Sequence, residues 1–251
     1  MTILKSRVLR FESLPSTNTE LARLASEGAD EGLSIVADEQ TAGRGRLQRA
    51  WSSPKGAGLY FSILLRPAIA QDHWPLITFA AALAVADALH ETSDLQTDIK
   101  WPNDLLSGER KICGILAEAI DTPAGRAVIV GIGINLTQQA FPAELSDVAT
   151  SVAAATGRPA EREMILGALL RALPRWYSLL HEPDGREKIV AAWSSRSSYA
   201  NGKLVQVNNG DEVWQGITSG IEPDGALRLT TQTGQTKMVR AGDVLSVRSA
   251  D

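Results

Sequence analysis

Leu59-Tyr60-Phe61-Ser62-Ile63-Leu64-Leu65 is a β-rich run that stops at Arg66-Pro67, and Trp74 to Glu91, a long Ala-rich apolar segment, follows it. The first reads as a strand and the second as a buried helix, so helix and strand mix within one unit. Outward from this pair, Leu33 to Ala37 is a short apolar strand. Thr97 to Trp101 and Ile112 to Ala119 are strands separated by a polar turn through Ser107-Gly108. Ala127 to Asn135 is a further apolar strand. Ser16-Thr17-Asn18-Thr19-Glu20 starts a helix, with Thr17 and Glu20 at capping-box spacing ahead of Leu21, Leu24 and Ala25. Glu161 to Leu180 and Arg186 to Trp193 read as helices, the first bent or broken at Pro174.

After Arg196 the texture changes. Leu204 to Val207, Val213 to Ile217, Leu227 to Leu229, Lys237 to Arg240 and Val244 to Arg248 are short strands. Asn209-Gly210, Pro223-Asp224-Gly225 and Gly242-Asp243 punctuate them as turns. Five short strands of this kind suit a small β-barrel. The expected fold is α+β: a mixed sheet with packed helices over residues 1–198, then a small C-terminal barrel over 199–251.

Composition narrows the function classes. The chain has 251 residues, one cysteine, three histidines and net charge -4. One cysteine excludes an intrachain disulfide, and His73, His90 and His181 have no ligand spacing, so no structural metal is expected. No apolar run is long enough to span a bilayer, and the N-terminal residues lack the apolar core of a secretory signal. The expectation is a reduced, cytoplasmic protein with no membrane contact. An acidic chain with about a dozen residues ahead of Ser16 also leaves no room for a DNA-binding module there.

Against that acidity, Gly43-Arg44-Gly45-Arg46-Leu47-Gln48-Arg49 concentrates positive charge, with Trp51 just beyond it. Glycines let backbone approach a ligand, and arginines two and three apart can converge on one anion. A solvated basic turn is the ordinary alternative. Lys100-Trp101-Pro102-Asn103-Asp104 reads as a strand end, where substrate groups gather, or as a plain strand cap. Lys111 enters the run Ile112-Cys113-Gly114-Ile115-Leu116. A lysine at the edge of a core needs a partner, and an anionic ligand would supply one. Gly131-Ile132-Gly133-Ile134-Asn135 is too little for a dinucleotide fingerprint; strand glycines mark close approach of backbone or ligand, and Asn135 either bonds a ligand or turns the chain.

Together and in this order these pieces resemble the catalytic core of the biotin protein ligases, enzymes that attach biotin to a lysine of biotin-dependent carboxylases. The resemblance rests on Ser16-Thr17-Asn18, Gln40, Gly43 to Arg46, Lys100 to Asp104, Lys111 with Gly114-Ile115-Leu116, and Gly133-Ile134-Asn135. Gly220 to Arg248 is similar to the family's SH3-like barrel. The chain looks like the short form, without the winged helix-turn-helix some members carry. One departure stands out: the family loop commonly continues Gly-Arg-Gly-Arg-Arg-Gly-Arg, and here Leu47 and Gln48 replace an arginine and a glycine.

The resemblance implies two steps. Biotin is activated by ATP as biotinyl-5'-AMP with release of pyrophosphate, then transferred to a lysine of a biotin carboxyl carrier domain. It implies Arg46, Lys100 and Lys111 as catalytic residues. Ser16, Thr17, Asn18, Gln40, Arg44, Gly45, Arg46 and Lys111 would bind biotin. Arg46, Arg49, Trp51, Lys100, Asn103, Lys111 and Asn135 would bind the nucleotide. A phosphate-bound Mg²⁺ accompanies ATP, no metal is held by protein alone, and the chain is a monomer or homodimer. Three rivals remain: a lipoate-type ligase, a single-strand nucleic-acid module using Arg44, Arg46, Arg49 and Trp51, and an inactive paralogue that keeps the pocket. The arginine loop, with only glycines and like charges, is expected to be mobile without ligand.

Overall fold

A computed structural model describes Leu4 and residues 6–208 and 212–246. The chain runs β1 (Arg7–Leu14), α1 (Thr17–Ser26), β2 (Leu33–Gln40), β3 (Gly58–Leu65), α2 (Pro75–Ser93), β4 (Asp98–Lys100), β5 (Asp104–Ser107), β6 (Arg110–Thr122) and β7 (Gly125–Asn135). Then come α3 (Val152–Thr156), α4 (Arg162–Leu179), α5 (Gly185–Ser195), β8 (Asn201–Asn208), β9 (Val213–Ile221), β10 (Leu227–Thr231), β11 (Thr236–Val239) and β12 (Asp243–Ser246). The first seven strands form one mixed sheet in the order β1-β2-β3-β7-β6-β5-β4, with β1 parallel to β2 and the other pairs antiparallel. The last five form a separate antiparallel sheet, ordered β11-β10-β9-β8-β12. The fold is therefore α+β with a small all-β unit following it.

Alternation along the strands sorts the two faces of the large sheet. Phe61, Ile63, Val130, Ile132, Ile134 and Ile115 point to one side and pack with α2, α4 and α5 in the main core. α2 is buried almost all round, which its Ala-rich composition permits by letting neighbours approach closely. Phe79 of α2 stacks on Trp193 of α5 at 4.4 Å between centroids. The opposite face carries Leu64 and Ile129, which with Leu21 and Ala25 of α1 make a second, smaller core. Farther along that face the side chains shrink to Gly114, Gly131 and Gly133, and the candidate site lies over them.

Three expectations need correcting. Ser16, not Thr17, caps α1, because its hydroxyl accepts from the Thr19 backbone N–H; the Thr17 hydroxyl is drawn off by Gln40 and Ser62. α4 runs through Pro174 without breaking. Its apolar face is buried on both sides of the proline, and Arg171 and Arg175 pair with Glu91 and Asp87 of α2. β1 and β5 were not anticipated. β1 is an edge strand of charged and apolar residues without clean alternation, and β5 is four residues long. The expected turn at Asn209-Gly210, and residues 247 and 248 of the expected last strand, lie outside the described residues.

The small sheet is docked on the large one. Trp101 Nε1 donates to the Gly225 carbonyl at 2.9 Å. Gly225 has φ +86°, which strains any side-chain-bearing residue, and a Cβ there would press on Leu76 of α2 at 3.3 Å, so glycine suits this turn. Ile99 N–H donates to Arg196 O at 2.9 Å, tying β4 to the end of α5.

Trp193 is fully buried against Phe79. Trp193→Ala is expected to cost about 3–5 kcal/mol of stability, read as a lower midpoint in urea. A midpoint unchanged from wild type would show that the α2–α5 contact is not a main support of the core.

Candidate functional site

The sheet face below α1 holds a cavity of about 240 Å³. Its floor is a patch with almost no side chains. Gly114 and Gly133 are register partners on β6 and β7, and Trp51 lies across both. A Cβ on Gly133 would come within 2.5 Å of the indole, and one on Gly114 within 2.9 Å. Gly131 does the same for Asn18, whose side chain occupies the space its Cβ would fill. The strand glycines are thus places of close side-chain approach rather than a nucleotide fingerprint. Trp51 is half-buried, and its Nε1 has no hydrogen-bond partner among the described residues.

One end of the cavity is polar and uncharged. Gln40 Oε1 accepts from Thr17 N–H at 2.8 Å and from the Thr17 hydroxyl at 3.0 Å, while Gln40 Nε2 donates to Ser53 Oγ at 2.8 Å. Ser62 Oγ lies 2.7 Å from Thr17 Oγ1 and 2.6 Å from Asn18 Oδ1. Asn18 Nδ2 donates to Glu118 at 2.7 Å and to Leu116 O at 3.3 Å. Ser16, Thr17 and Asn18 are all buried. They are held by a helix start, three strands and each other.

The other end is cationic. The arginine loop is closed at its base by Trp51 N–H to Gly43 O at 2.9 Å and Gly45 N–H to Arg49 O at 2.7 Å. Gly43 is obligatory, since a Cβ would meet the Trp51 carbonyl and Ser53. A short 3₁₀ turn spans Arg46–Gln48, with Leu47 at φ 52° and Gln48 at φ 57°. Both sit in the left-handed region, and Gln48 does so where the family loop has glycine. Arg44 donates to Glu118 at 2.9 Å. Arg46 donates to Asn103 Oδ1 at 3.1 Å and to Gly242 O at 3.2 Å, and Arg49 pairs with Asp243. The loop does not lack partners, as its composition suggested; Glu118 and the C-terminal strand β12 supply them.

Lys111 also has its partner. Its ammonium lies 2.7 Å from Asp104 and 5.3 Å from the Trp51 ring centroid. The expected need for an anion is met, in this state, by a carboxylate of the adjoining strand. Burial lowers the Arg46 pKa and Arg49 adds to this, against Asp243 and Asp104. An arginine so placed still keeps its charge. Lys100 does not line the cavity, but it shares this field: burial and the like charge of Lys111 lower its pKa, opposed by Asp104 and Asp243.

Asn103 and Asn135 work through backbone. Asn103 Nδ2 donates to Ile115 O at 2.9 Å, leaving its oxygen to Arg46. Asn135 Nδ2 donates to Thr150 O at 3.0 Å. That bond, with Lys111 N–H to Val148 O and Thr150 N–H to Lys111 O, stitches residues 138–150 over the site. Phe141, Leu145, Val148 and Ala149 of this segment line the cavity. The motifs did not reveal them, although Leu145 and Val148 are exposed apolar residues in a polar stretch. Ser62, Ser53, Glu118, Asp104 and Asp243 were also missed. Only Asp104 had a local signal, its place in the Lys-Trp-Pro-Asn-Asp run.

Known proteins similar to this chain include ligases. Residues 10–135 match the Biotin/lipoate A/B protein ligase family, and residues 202–245 match the Biotin protein ligase C terminal domain. The chain is 36% identical over 242 residues to the bifunctional ligase/repressor BirA of Bacillus subtilis, covering 95% of this chain and 74% of that protein. It is 34% identical over 239 residues to a biotin--[acetyl-CoA-carboxylase] ligase of Mycobacterium tuberculosis, covering 93% and 86%. The structure of biotin protein ligase from Aquifex aeolicus in complex with biotin and ATP superposes with a TM-score of 0.84 at 30% identity, over 97% of this chain and 99% of that one.

Asp243 holds Arg49 and stands beside Arg46 at 3.9 Å. Asp243→Asn is expected to speed tryptic cleavage after Arg46 or Arg49 several-fold at unchanged melting temperature. Equal cleavage rates in the two proteins would place the restraint on the loop elsewhere.

Proposed function

The chain belongs to the biotin/lipoate A/B protein ligase family, and on that premise we propose that it is an ATP-dependent biotin–[acetyl-CoA-carboxylase] ligase. The observation that carries this reading is the polarity of this one cavity from end to end. A neutral hydrogen-bonding end, Ser16-Thr17-Asn18 with Gln40, faces an end walled by Arg46, Arg49 and Lys111. A ligand with a polar uncharged head and a carboxylate tail, joined to phosphate, has that same distribution.

In the first step a biotin carboxylate oxygen attacks the α-phosphorus of ATP, the bond to the β-phosphate breaks, and pyrophosphate leaves. Two anions must meet, so positioned cations are the main requirement. Arg44, Gly45 and Arg46 close over the carboxylate, while Arg46, Arg49 and Lys111 share the phosphate charge and Lys100, outside the cavity wall, adds to the positive field there. Lys111 reaches both and leaves Asp104 as it does so. Trp51 and the apolar segment with Phe141, Leu145 and Val148 offer flat surfaces to the adenine and the valeryl chain. Asn103 and Asn135 hold the walls of the nucleotide site.

ATP would bring Mg²⁺ on its phosphates, and the ion would there neutralise part of their charge. The cavity wall offers only Asp104 and Asp243 as carboxylates, each paired with a cation, and no cluster of three ligating side chains occurs among the described residues. That donor set suits an ion carried on phosphate with its waters rather than a protein cage.

In the second step the amine of a carrier lysine attacks the anhydride carbonyl. The carbon–nitrogen bond forms, the bond to the phosphate oxygen breaks, AMP leaves, and the amine gives up a proton. A biotin carboxyl carrier domain is the partner this implies, in the cytoplasm. Residues 1–198 would hold the chemistry, and 199–251 would brace the arginine loop through Gly242 and Asp243.

Biotin-dependent release of pyrophosphate from ATP, followed by transfer of label to a carrier domain, tests the reading; turnover with lipoate in place of biotin would overturn it in favour of the lipoate branch. Lys111→Ala is expected to lower adenylate formation by about 100- to 1000-fold with the fold intact. Near-normal pyrophosphate release by the folded variant would remove Lys111 from the mechanism.

A further inference from the structure

The polar end of the cavity is short of protons. Asn18 Oδ1, Ser62 Oγ, Thr17 Oγ1 and Gln40 Oε1 form a row with successive contacts of 2.6, 2.7 and 3.0 Å. The two terminal oxygens are amide carbonyls, so the only protons that can lie between oxygens of the row are the hydroxyl protons of Ser62 and Thr17, the Thr17 backbone N–H reaching Gln40 Oε1 from outside it. Three oxygen–oxygen contacts therefore share two protons. A ligand N–H arriving at this row would supply the missing donor, and a ligand without one would leave it unmet.

That polarity is not intrinsic to the row. It holds only while Asn18 turns its oxygen, and not its NH₂, toward Ser62. Glu118 decides this. Its Oε2 accepts from Asn18 Nδ2 at 2.7 Å and from Arg44 Nη2 at 2.9 Å. A carboxylate has no proton to give, so the amide can only present nitrogen to it. The Leu116 carbonyl, at 3.3 Å, acts in the same sense from farther away. Were Asn18 reversed, its NH₂ would donate to Ser62, the deficit would close, and the row would have no demand for a ligand proton. Glu118 touches the cavity only through these two residues; it stands on β6 two positions past Leu116, on the face shared with Gly114.

We propose that Glu118 is the positioning residue for the ligand's head group. It orients Asn18 so that the Asn18–Ser62–Thr17–Gln40 row receives N–H donors, and through Arg44 it ties that row to the arginine loop. This rests on the reading of the cavity as a biotin site, where the two N–H groups of the ureido ring are the donors. Discrimination against a head group that lacks N–H, such as a dithiolane, follows from the unmet acceptor it would leave.

Glu118→Ala and Glu118→Met both remove the acceptor, the second keeping the side-chain bulk. Glu118→Gln retains an oxygen that can take both hydrogen bonds. For the first two, KM for biotin is expected to rise about 10- to 100-fold, with kcat, KM for ATP and melting temperature close to wild type. Glu118→Gln should stay within about threefold of wild type for biotin, as an acceptor role requires. Equal rises in both KM values, an unchanged KM for biotin, or a Gln variant as impaired as Ala would each overturn the proposal. Wild-type protein showing no biotin-dependent pyrophosphate release would instead overturn the reading beneath it, and the proposal with it.

Discussion

Four basic side chains cannot gather at one partly buried cavity unless opposite charge meets them there, since bringing like charges out of water together is costly. Arg44, Arg46, Arg49 and Lys111 are answered by Glu118, Asp243 and Asp104, and each carboxylate comes from a different segment. This constraint organises the molecule. It explains why β12 of the small sheet reaches back to the arginine loop, and why β5, only four residues long, begins with an aspartate facing Lys111. The carboxylates hold the cations in place through charge-assisted hydrogen bonds.

The second constraint is space. Three glycines on adjacent strands let Trp51 and Asn18 sink toward the sheet, which puts the cavity close to the backbone rather than at the tips of side chains. The same sheet spends its opposite face on bulky residues against α2, so one layer serves both as core and as floor. Rigid strands below and a short strained loop above make a site whose one wall is fixed and whose other wall is held by ion pairs and a few hydrogen bonds. Leu47 and Gln48, both in left-handed conformations, add strain that those pairs must offset.

What could be read from the chain beforehand follows from distance along it. The long helix from Trp74 and the apolar strands were legible because their pattern is local. Lys100 to Asp104, Lys111 and the arginine loop were legible because each carries unusual residues close together. Ser62 was not, being one serine in an apolar strand, and Glu118 was not, being one glutamate on an alternating one. Their meaning lies in Asn18 and Arg44, which only the sheet brings near. Thr17 was misjudged for the same reason: capping-box spacing is local, while the groups that claim its hydroxyl sit on β2 and β3. Pro174 breaks an isolated helix, but here α2 holds both halves of α4 in line.

The cavity is drawn from Ser16 near one end of the chain and Asp243 near the other. Its pieces are separated by nearly the whole sequence, so it has high contact order and forms late relative to the local helices. During synthesis the glycine floor and the polar row are complete once β7 has emerged, but the arginine loop still lacks its brace. A growing polypeptide would thus own a receptacle before it owns a latch, and a protein cut short ahead of its last strand would keep the hollow without the clasp that Gly242 and Asp243 give its arginine loop.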